Sequence, residues 1–326
     1  NKPKIRLMLS YGLGDAGTGL AATQLGFYLF PFFIGYAGLP ALVAGSILML
    51  IKIWDAINDP FIGWLSDKTK TRWGPRIPWM LSAAIPLGFS LAAIWWVPSG
   101  TLSEKTAYYV VISILLMTAY TSVNLPFAAL STELSKDISV RTRLNAARFT
   151  GSILAGLSGL IIAANILSKN EVGYFNMGKI SGLIAALATL ISCWGLAPFA
   201  KKARRPSKRN ISLTLQLRRI FNNKKFIKVI TLYLLLWCAL QLMQTVSLIY
   251  VEQVLQIPSQ YAKWIPIPFQ LSALAGLQIW SFFSNKFGRI SALYNGSTIW
   301  IFSCLLTLTI PSFKISTDIN ISFFSL

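Results

Sequence analysis

Two aspartates, Asp55 and Asp59, lie one helical turn apart inside a long apolar stretch of the sequence. The stretch, 42–65, has the length and composition of a membrane-spanning helix. Ionised carboxylates are costly at membrane depth and occur mainly where they bind something. Lys52 precedes Asp55 by three residues, so all three charges fall along one stripe of a helix. The spacing predicts an ion site that faces a protein-lined or water-filled cavity.

The chemistry of this pair is that of a coupling-ion site. Carboxylates one turn apart offer several oxygen ligands to a hard cation, so the pair predicts Na⁺ or H⁺ as the coupling ion. Pro60 follows directly, and its missing N–H frees a backbone carbonyl and favours a kink. We expect Lys52 to compensate one carboxylate when no ion is bound. The alternative interpretation is a salt-bridge network between helices, without transport.

A polar stretch in another apolar segment offers partners for these carboxylates. Tyr120, Thr121 and Asn124 lie close together in the predicted fourth span. Thr121 and Asn124 are three residues apart, so their oxygens fall on one helix face and are expected to complete a cation shell opposite the two aspartates. The alternative is ordinary hydrogen bonding between helices.

Charged and amide side chains in three further apolar segments are also candidates. Arg148, in the fifth segment, is expected to pair with an acid of a neighbouring helix or to hold a polar solute; reaching for the lipid headgroups is the alternative. Asp15, in the first segment, is expected to hold Arg143 or Arg148 in one conformation. Gln241 and Gln244, in the seventh, are predicted substrate contacts.

The composition indicates an all-α polytopic membrane protein. The chain is 54% hydrophobic and 12% charged, with a mean hydropathy of +0.58, whereas soluble domains carry about 25% charged residues. The net charge of +20 comes from Lys and Arg that fall mainly in alternate loops, as the positive-inside rule describes. This pattern predicts a cytoplasmic N-terminus and a lipid bilayer as the partner of the basic loops, with no nucleic acid.

The sequence lacks residues that several classes of function require. The chain has no histidine, and its cysteines each stand alone in an apolar segment, so His-based metal sites and catalytic triads are excluded. No nucleophile–base pair is visible. We therefore expect a protein that is not an enzyme and has no cofactor beyond its coupling ion.

Nine spanning segments are predicted: 7–35, 41–66, 78–97, 107–133, 143–167, 177–199, 226–254, 262–285 and 290–310. They predict three regions: a six-helix bundle over 1–200, a basic cytoplasmic linker over 201–225, and a partial C-terminal bundle over 226–326. A weak internal repeat relates 63–76 to 282–289, each following an even-numbered span. Parallel repeats of this kind characterise the major facilitator architecture.

Three helices do not complete a second six-helix bundle. Either the sequence is a fragment of a longer transporter, or the protein is a truncated remnant that no longer transports.

The motifs resemble those of the glycoside–pentoside–hexuronide:cation symporters, the melibiose-permease group of the major facilitator superfamily. The resemblance is carried by Y-G-L-G-D at 11–15, W-D-A-I-N-D-P at 54–60, the G-x-x-x-D-x-x-x-x-R-x-G-x-x-x-P-W loop at 63–79, and N-L-P-F at 124–127. It implies a secondary active transporter that couples a sugar or glycoside-like solute to Na⁺, H⁺ or Li⁺ by alternating access.

The resemblance also implies roles for individual residues. Asp55 and Asp59 would bind the cation, with Asn58 and Thr121 assisting. Tyr120 would line the site and Arg148 would contact sugar. We add Asn124, Thr18, Gln241 and Gln244 as substrate-contact candidates, and the residues expected to act in conformational change are Asp15, Lys52, Asp67, Arg72, Arg76 and Arg141.

The sequence departs from the melibiose type at its sugar clamp. Thr18 and Gly19 stand where that type has Lys-Asp, and Asn124 and Ala128 replace an aspartate and a tryptophan. The cation motif is intact. A lysolipid-type cation symporter is therefore the alternative transporter. We expect a small-molecule solute, a monomer, and a multi-pass location in the plasma (inner) membrane.

Overall fold

The computed structural model of the chain describes residues 5–135, 137–168, 173–201 and 223–309. The predicted basic linker and polar tail therefore lie largely outside the described residues. In the described parts every regular element is a helix, and each of the nine predicted spans falls on helical structure, the first of them on two consecutive helices.

The first six predicted spans contain seven helices, because the first span is broken. They are α1 (Ile5–Gly14), α2 (Ala16–Pro31) with a π-helical turn over Phe32–Tyr36, α3 (Ala41–Lys68), α4 (Ile77–Ala93), α5 (Leu102–Leu134), α6 (Ile138–Leu167) and α7 (Tyr174–Ala200). The interruption between α1 and α2 falls at Asp15, which has φ −102° and ψ 0°.

The remaining helices are α8 (Lys224–Ile249) with a π-helical turn over Tyr250–Val254, the short α9 (Ser259–Ala262), α10 (Pro266–Phe287) and α11 (Arg289–Thr309). By length and composition, seven helical segments of the described chain can cross a membrane, and Ile77–Ala93 is a shorter apolar helix. The predicted eighth span, α10, is helical but is not among these seven. The protein is thus an all-α polytopic membrane protein.

The helices form two compact units, Asn1–Leu248 and Ile249–Leu326. The division falls after Leu248, whereas the sequence predicts a boundary at the linker, 201–225. The three predicted regions therefore remain a prediction.

In the first unit, α4 packs on α7, α2 packs on α6, and α5 packs on both α3 and α4. Small residues bring these helices close together. A Cβ on Gly17 would lie 2.7 Å from the carbonyl oxygen of Ala185, and one on Gly159 would lie 2.9 Å from Cγ of Leu20. Side chains at these glycines would force the helices apart, so the spacing of the bundle depends on them.

An internal repeat is visible in the local backbone of each unit. At the end of the first span, Ala37 N donates to Phe32 O and Leu39 N donates to Phe33 O, both at 2.8 Å. After the seventh span the same pattern recurs 218 residues later: Leu255 N to Tyr250 O at 3.1 Å and Ile257 N to Val251 O at 3.2 Å.

Between these bonds lies a residue of positive φ, Gly38 at +71° and Gln256 at +54°, and each turn ends at a proline. The same offset aligns Ser66-Asp67-Lys68 with Ser284-Asn285-Lys286. The predicted repeat therefore has a register that extends from the π-helical turns to the basic loops.

Candidate cation and solute site

The two aspartates lie on α3 along its contact with α5. Two hydrogen bonds hold this contact together beside them. Trp54 Nε1 donates to Thr118 Oγ1 at 3.0 Å, and Asn58 Nδ2 donates to the carbonyl oxygen of Met117 at 3.5 Å. Because Asn58 is buried, at 3% exposed, its amide orients the carboxylate-bearing turn of α3 against α5.

Thr121 contacts both carboxylates. Its Oγ1 lies 3.3 Å from Asp55 Oδ1 and 3.0 Å from Asp59 Oδ1. A hydroxyl has a single proton and two lone pairs, so it donates to one carboxylate at a time and can present a lone pair to a cation. Asp55 and Asp59 are half-buried while Thr121 is only 2% exposed. Two carboxylates and a hydroxyl on facing helices therefore bring several oxygen atoms together, and oxygen atoms are the ligands that hard cations prefer.

Lys52 lies near the pair without contacting it. It is exposed and forms no salt bridge with Asp55 or Asp59, but it interacts electrostatically with Asp55. Its compensation of that carboxylate stays a prediction. Among the described residues no group of three or more His, Cys, Asp or Glu side chains forms a metal centre.

A second polar cluster surrounds Asp15 at the break in the first span. Arg148 Nε donates to Asp15 Oδ2 at 2.9 Å, and Asn124 Nδ2 donates to Asp15 Oδ1 at 3.0 Å. Arg148 Nη2 also donates to Asn124 Oδ1 at 3.4 Å, which closes a triangle between the three side chains. Thr18 Oγ1 donates to Asp15 Oδ1 at 2.7 Å. We call these four residues the Asp15 cluster.

The structure decides two questions that spacing left open. Asp15 pairs with Arg148, whereas Arg143 is exposed. Asn124 bonds within the Asp15 cluster, although its spacing from Thr121 predicted a place in the cation shell. Thr121 and Asn124 thus serve two different clusters from one turn of α5. Tyr120, on the same turn, interacts electrostatically with Asp15, Asp55, Asp59 and Arg148.

The two predicted glutamines of α8 take no part in either cluster. Gln244 lies against α2, where a Cβ on Gly26 would be 2.7 Å from its Cδ. Gln241 is half-buried. Neither amide has a hydrogen bond within the part of the chain that the structure describes.

A third cluster lies where α3 and α5 end and α4 begins. Arg76 is only 7% exposed and has three partners: Nε donates to Glu133 Oε1 at 2.8 Å, Nη1 to Ser66 Oγ at 2.7 Å, and Nη2 to Asp67 Oδ1 at 2.5 Å. The planar fork of arginine suits this triple arrangement. The guanidinium therefore ties three helix ends together.

Sequence reasoning missed Glu133. It is 7% exposed, and the available signal was its position as an acid in the last turn of a membrane-spanning helix. Arg72 and Arg141, which were predicted with Arg76, lie outside this cluster: the Arg72 guanidinium stacks 4.7 Å from the Trp73 ring, and Arg141 Nε donates to Ser135 O at 2.7 Å.

Comparison with known proteins agrees with this architecture. The family described as MFS/sugar transport protein matches residues 10–324. An uncharacterized symporter of Synechocystis is 30% identical over 90% of this chain and 70% of the relative. A sodium-dependent lysophosphatidylcholine symporter 1 of Gallus gallus is 25% identical over 88% of this chain and 61% of the relative. A putative glycoside/cation symporter of Escherichia coli, YagG, is 33% identical over 54% of this chain and 39% of the relative.

The chain spans 70%, 61% and 39% of the length of these relatives, respectively. All three relatives are named as symporters, and symporters are transporters, not enzymes. The motifs, the helical architecture and the matched family agree, and the chain belongs to the MFS/sugar transport protein family, among the symporters of the glycoside–pentoside–hexuronide:cation type.

Proposed function

We propose that the protein is a secondary active transporter that couples entry of Na⁺ to uptake of a glycoside-like solute. The observation that carries the proposal is the double contact of Thr121 with Asp55 and Asp59, one turn from the Asp15 cluster. A coupled carrier needs an ion site and a solute site that sense each other. Here α5 connects the two candidate sites through a single turn.

The carboxylate pair provides a reason for alternating access. When no cation is bound, the two negative charges repel, and when one is bound, it draws Asp55 and Asp59 together with Thr121. A cation that binds one conformation more tightly shifts the population toward it. The Arg76 cluster is the proposed gate at the basic-loop end, since its opening separates the ends of α3, α4 and α5. The positive-inside pattern supports a cytoplasmic location of this end and of the N-terminus in a plasma (inner) membrane.

The experiment is uptake into proteoliposomes that contain the purified chain. The solutes are the methyl glycosides of glucose, galactose and xylose, and lysophosphatidylcholine as a second class. Each is offered under an inward Na⁺ gradient, under an inward proton gradient, and with both gradients collapsed. Glycoside uptake under the Na⁺ gradient alone supports the proposal. Uptake under the proton gradient alone replaces Na⁺ with H⁺ as the coupling ion.

Asp55→Asn and Asp59→Asn are the test variants, and both are expected to lose ion-driven uptake. Glu104→Gln is the matched control, because Glu104 is an exposed acid in a capping box with Thr101 at the other end of α5, and glutamine also forms this motif. Na⁺-driven uptake that survives in both aspartate variants contradicts the proposal.

The second candidate function is transport of a lysolipid, favoured by the likeness to a symporter named for lysophosphatidylcholine. Na⁺-driven movement of lysophosphatidylcholine without glycoside uptake selects it. A folded chain that moves none of these solutes contradicts both candidate functions.

A further inference from the structure

Asp15 has an unusual set of contacts for an acid inside an apolar span. It lies at the break between α1 and α2 and is 4% exposed. Its Oδ1 accepts hydrogen bonds from Thr18 and Asn124, and its Oδ2 accepts one from Arg148. The carboxylate is thus surrounded by three donors from α2, α5 and α6, and little of it is left for a solute.

Arg148 and Asn124 keep donors that these contacts do not use. The guanidinium is bonded through Nε and Nη2, and Nη1 has no partner within the described residues. The Phe127 and Phe149 rings lie 5.4 and 5.8 Å from its Cζ and limit where it can move. The Asn124 amide nitrogen carries a second hydrogen beyond the one directed at Asp15.

Resting on the proposed symport, we infer that Asp15 is a positioning residue for solute recognition. Its carboxylate fixes Arg148 and Asn124 so that their remaining N–H groups meet oxygen acceptors of the solute. The solute class is therefore one rich in hydroxyl and ether oxygens, as a glycoside is. Asp15 itself acts through these two side chains and does not contact solute.

The contacts explain why one carboxylate can do this. An arginine side chain has many rotamers, and a charged hydrogen bond to Nε restricts them. An asparagine amide presents either its oxygen or its nitrogen, and Asp15 accepts only from the nitrogen. Without Asp15 the amide is free to turn over and the guanidinium to leave, so both donors are lost to the solute together.

The test measures binding of the same three methyl glycosides, and separately of Na⁺, to the purified full chain. The variants are Asp15→Asn, Arg148→Gln and the double variant. Asp15→Asn is expected to weaken glycoside binding roughly tenfold or more and to leave the Na⁺ midpoint within about twofold. In the Arg148→Gln background, Asp15→Asn is expected to add less than its full loss in the wild-type background, because only the part that passes through Asn124 remains.

Asp15→Asn leaves Arg148 buried without its partner, so this variant can fail to fold. The double variant and a fourth variant, Asp15→Glu, keep the test decisive in that case. The double variant removes both charges and is expected to fold. Asp15→Glu keeps the charge but displaces the guanidinium by one methylene, so glycoside binding falls while Na⁺ binding stays. Glu252→Gln in the second unit is the control, because Glu252 accepts from Lys263 at the same 2.9 Å and is expected to alter stability without altering glycoside binding.

The outcomes separate this inference from the proposed function. Losses from Asp15→Asn and Arg148→Gln that add, or wild-type glycoside binding in Asp15→Asn or in Asp15→Glu, overturn the positioning role. A melting temperature and a Na⁺ midpoint that fall in step with glycoside binding also overturn it, because they indicate a purely structural residue. A wild-type chain that binds no glycoside overturns the proposed function and this inference with it.

Discussion

Replacing Thr121 with valine removes one hydroxyl from the space between two carboxylates and changes the side-chain volume little. In the protein this oxygen lies 3.3 Å from Asp55 Oδ1 and 3.0 Å from Asp59 Oδ1. Thr121 is 2% exposed, so water does not readily take the place of the hydroxyl. The variant therefore removes the proposed cation ligand and, at the same time, a hydrogen-bond donor to the two carboxylates.

The expected loss follows from this geometry. A hydrogen bond to a charged group contributes about 1.5–3 kcal/mol, which corresponds to a roughly ten- to hundredfold change in an affinity. We expect the Na⁺ midpoint for uptake to rise by this factor in Thr121→Val and to stay near wild type in Thr121→Ser, which keeps the hydroxyl. The half-buried position of the carboxylates places the expectation toward the lower end of the range.

The assay is glycoside uptake as a function of Na⁺ concentration, with Na⁺-induced thermal stabilisation as a second readout that needs no solute. Thr118→Val is the matched control. Thr118 lies on the same helix, donates to Ile114 O at 2.7 Å and accepts from Trp54 Nε1, yet it bonds neither carboxylate. If both valine variants raise the Na⁺ midpoint equally, Thr121 is not a ligand and the reasoning fails.

Two further predictions concern stability, measured by thermal unfolding in detergent. Arg76→Met leaves Glu133 buried without its cation and is expected to lower the free energy of unfolding by about 3 kcal/mol. Adding Glu133→Gln is expected to restore part of this loss. Equal stability of Arg76→Met and wild type would show that the cluster does not stabilise the fold. Gly17→Val places a side chain against the Ala185 carbonyl, 2.7 Å from its first carbon, and is expected to cost at least about 2 kcal/mol, whereas an unchanged melting temperature would mean that α2 and α7 are not in close contact there.

The helical class and the proximity of the two carboxylates were predictable because their signals are local. Apolar length decides whether a helix can cross a bilayer, and the expense of a buried charge marks Asp55 and Asp59 within such a helix. A four-residue spacing places both carboxylates on one stripe without any tertiary information. The all-α membrane architecture predicted on this basis is confirmed.

The break in the first span was harder to predict from the sequence. Small residues around Asp15 are compatible with both a continuous helix and an interrupted one, and the choice depends on what α5 and α6 offer to its carboxylate. The missed role of Glu133 has the same origin. From sequence alone, an acid at a helix end is expected to be solvent-exposed. Only the tertiary structure shows that a distant arginine lies against it.

The sequence by itself determined that this protein crosses a membrane, that two carboxylates share a turn of the second span, and that its motifs are those of a symporter. Only the tertiary structure decided which side chains meet: Thr121 with both aspartates, Asn124 with Asp15 and Arg148, and Arg76 with Glu133. Helical periodicity assigns a residue to a face, but the partner on the opposing face depends on how two helices are rotated and shifted along each other. Packing of the whole bundle sets those quantities, and the small residues between its helices decide how close they come.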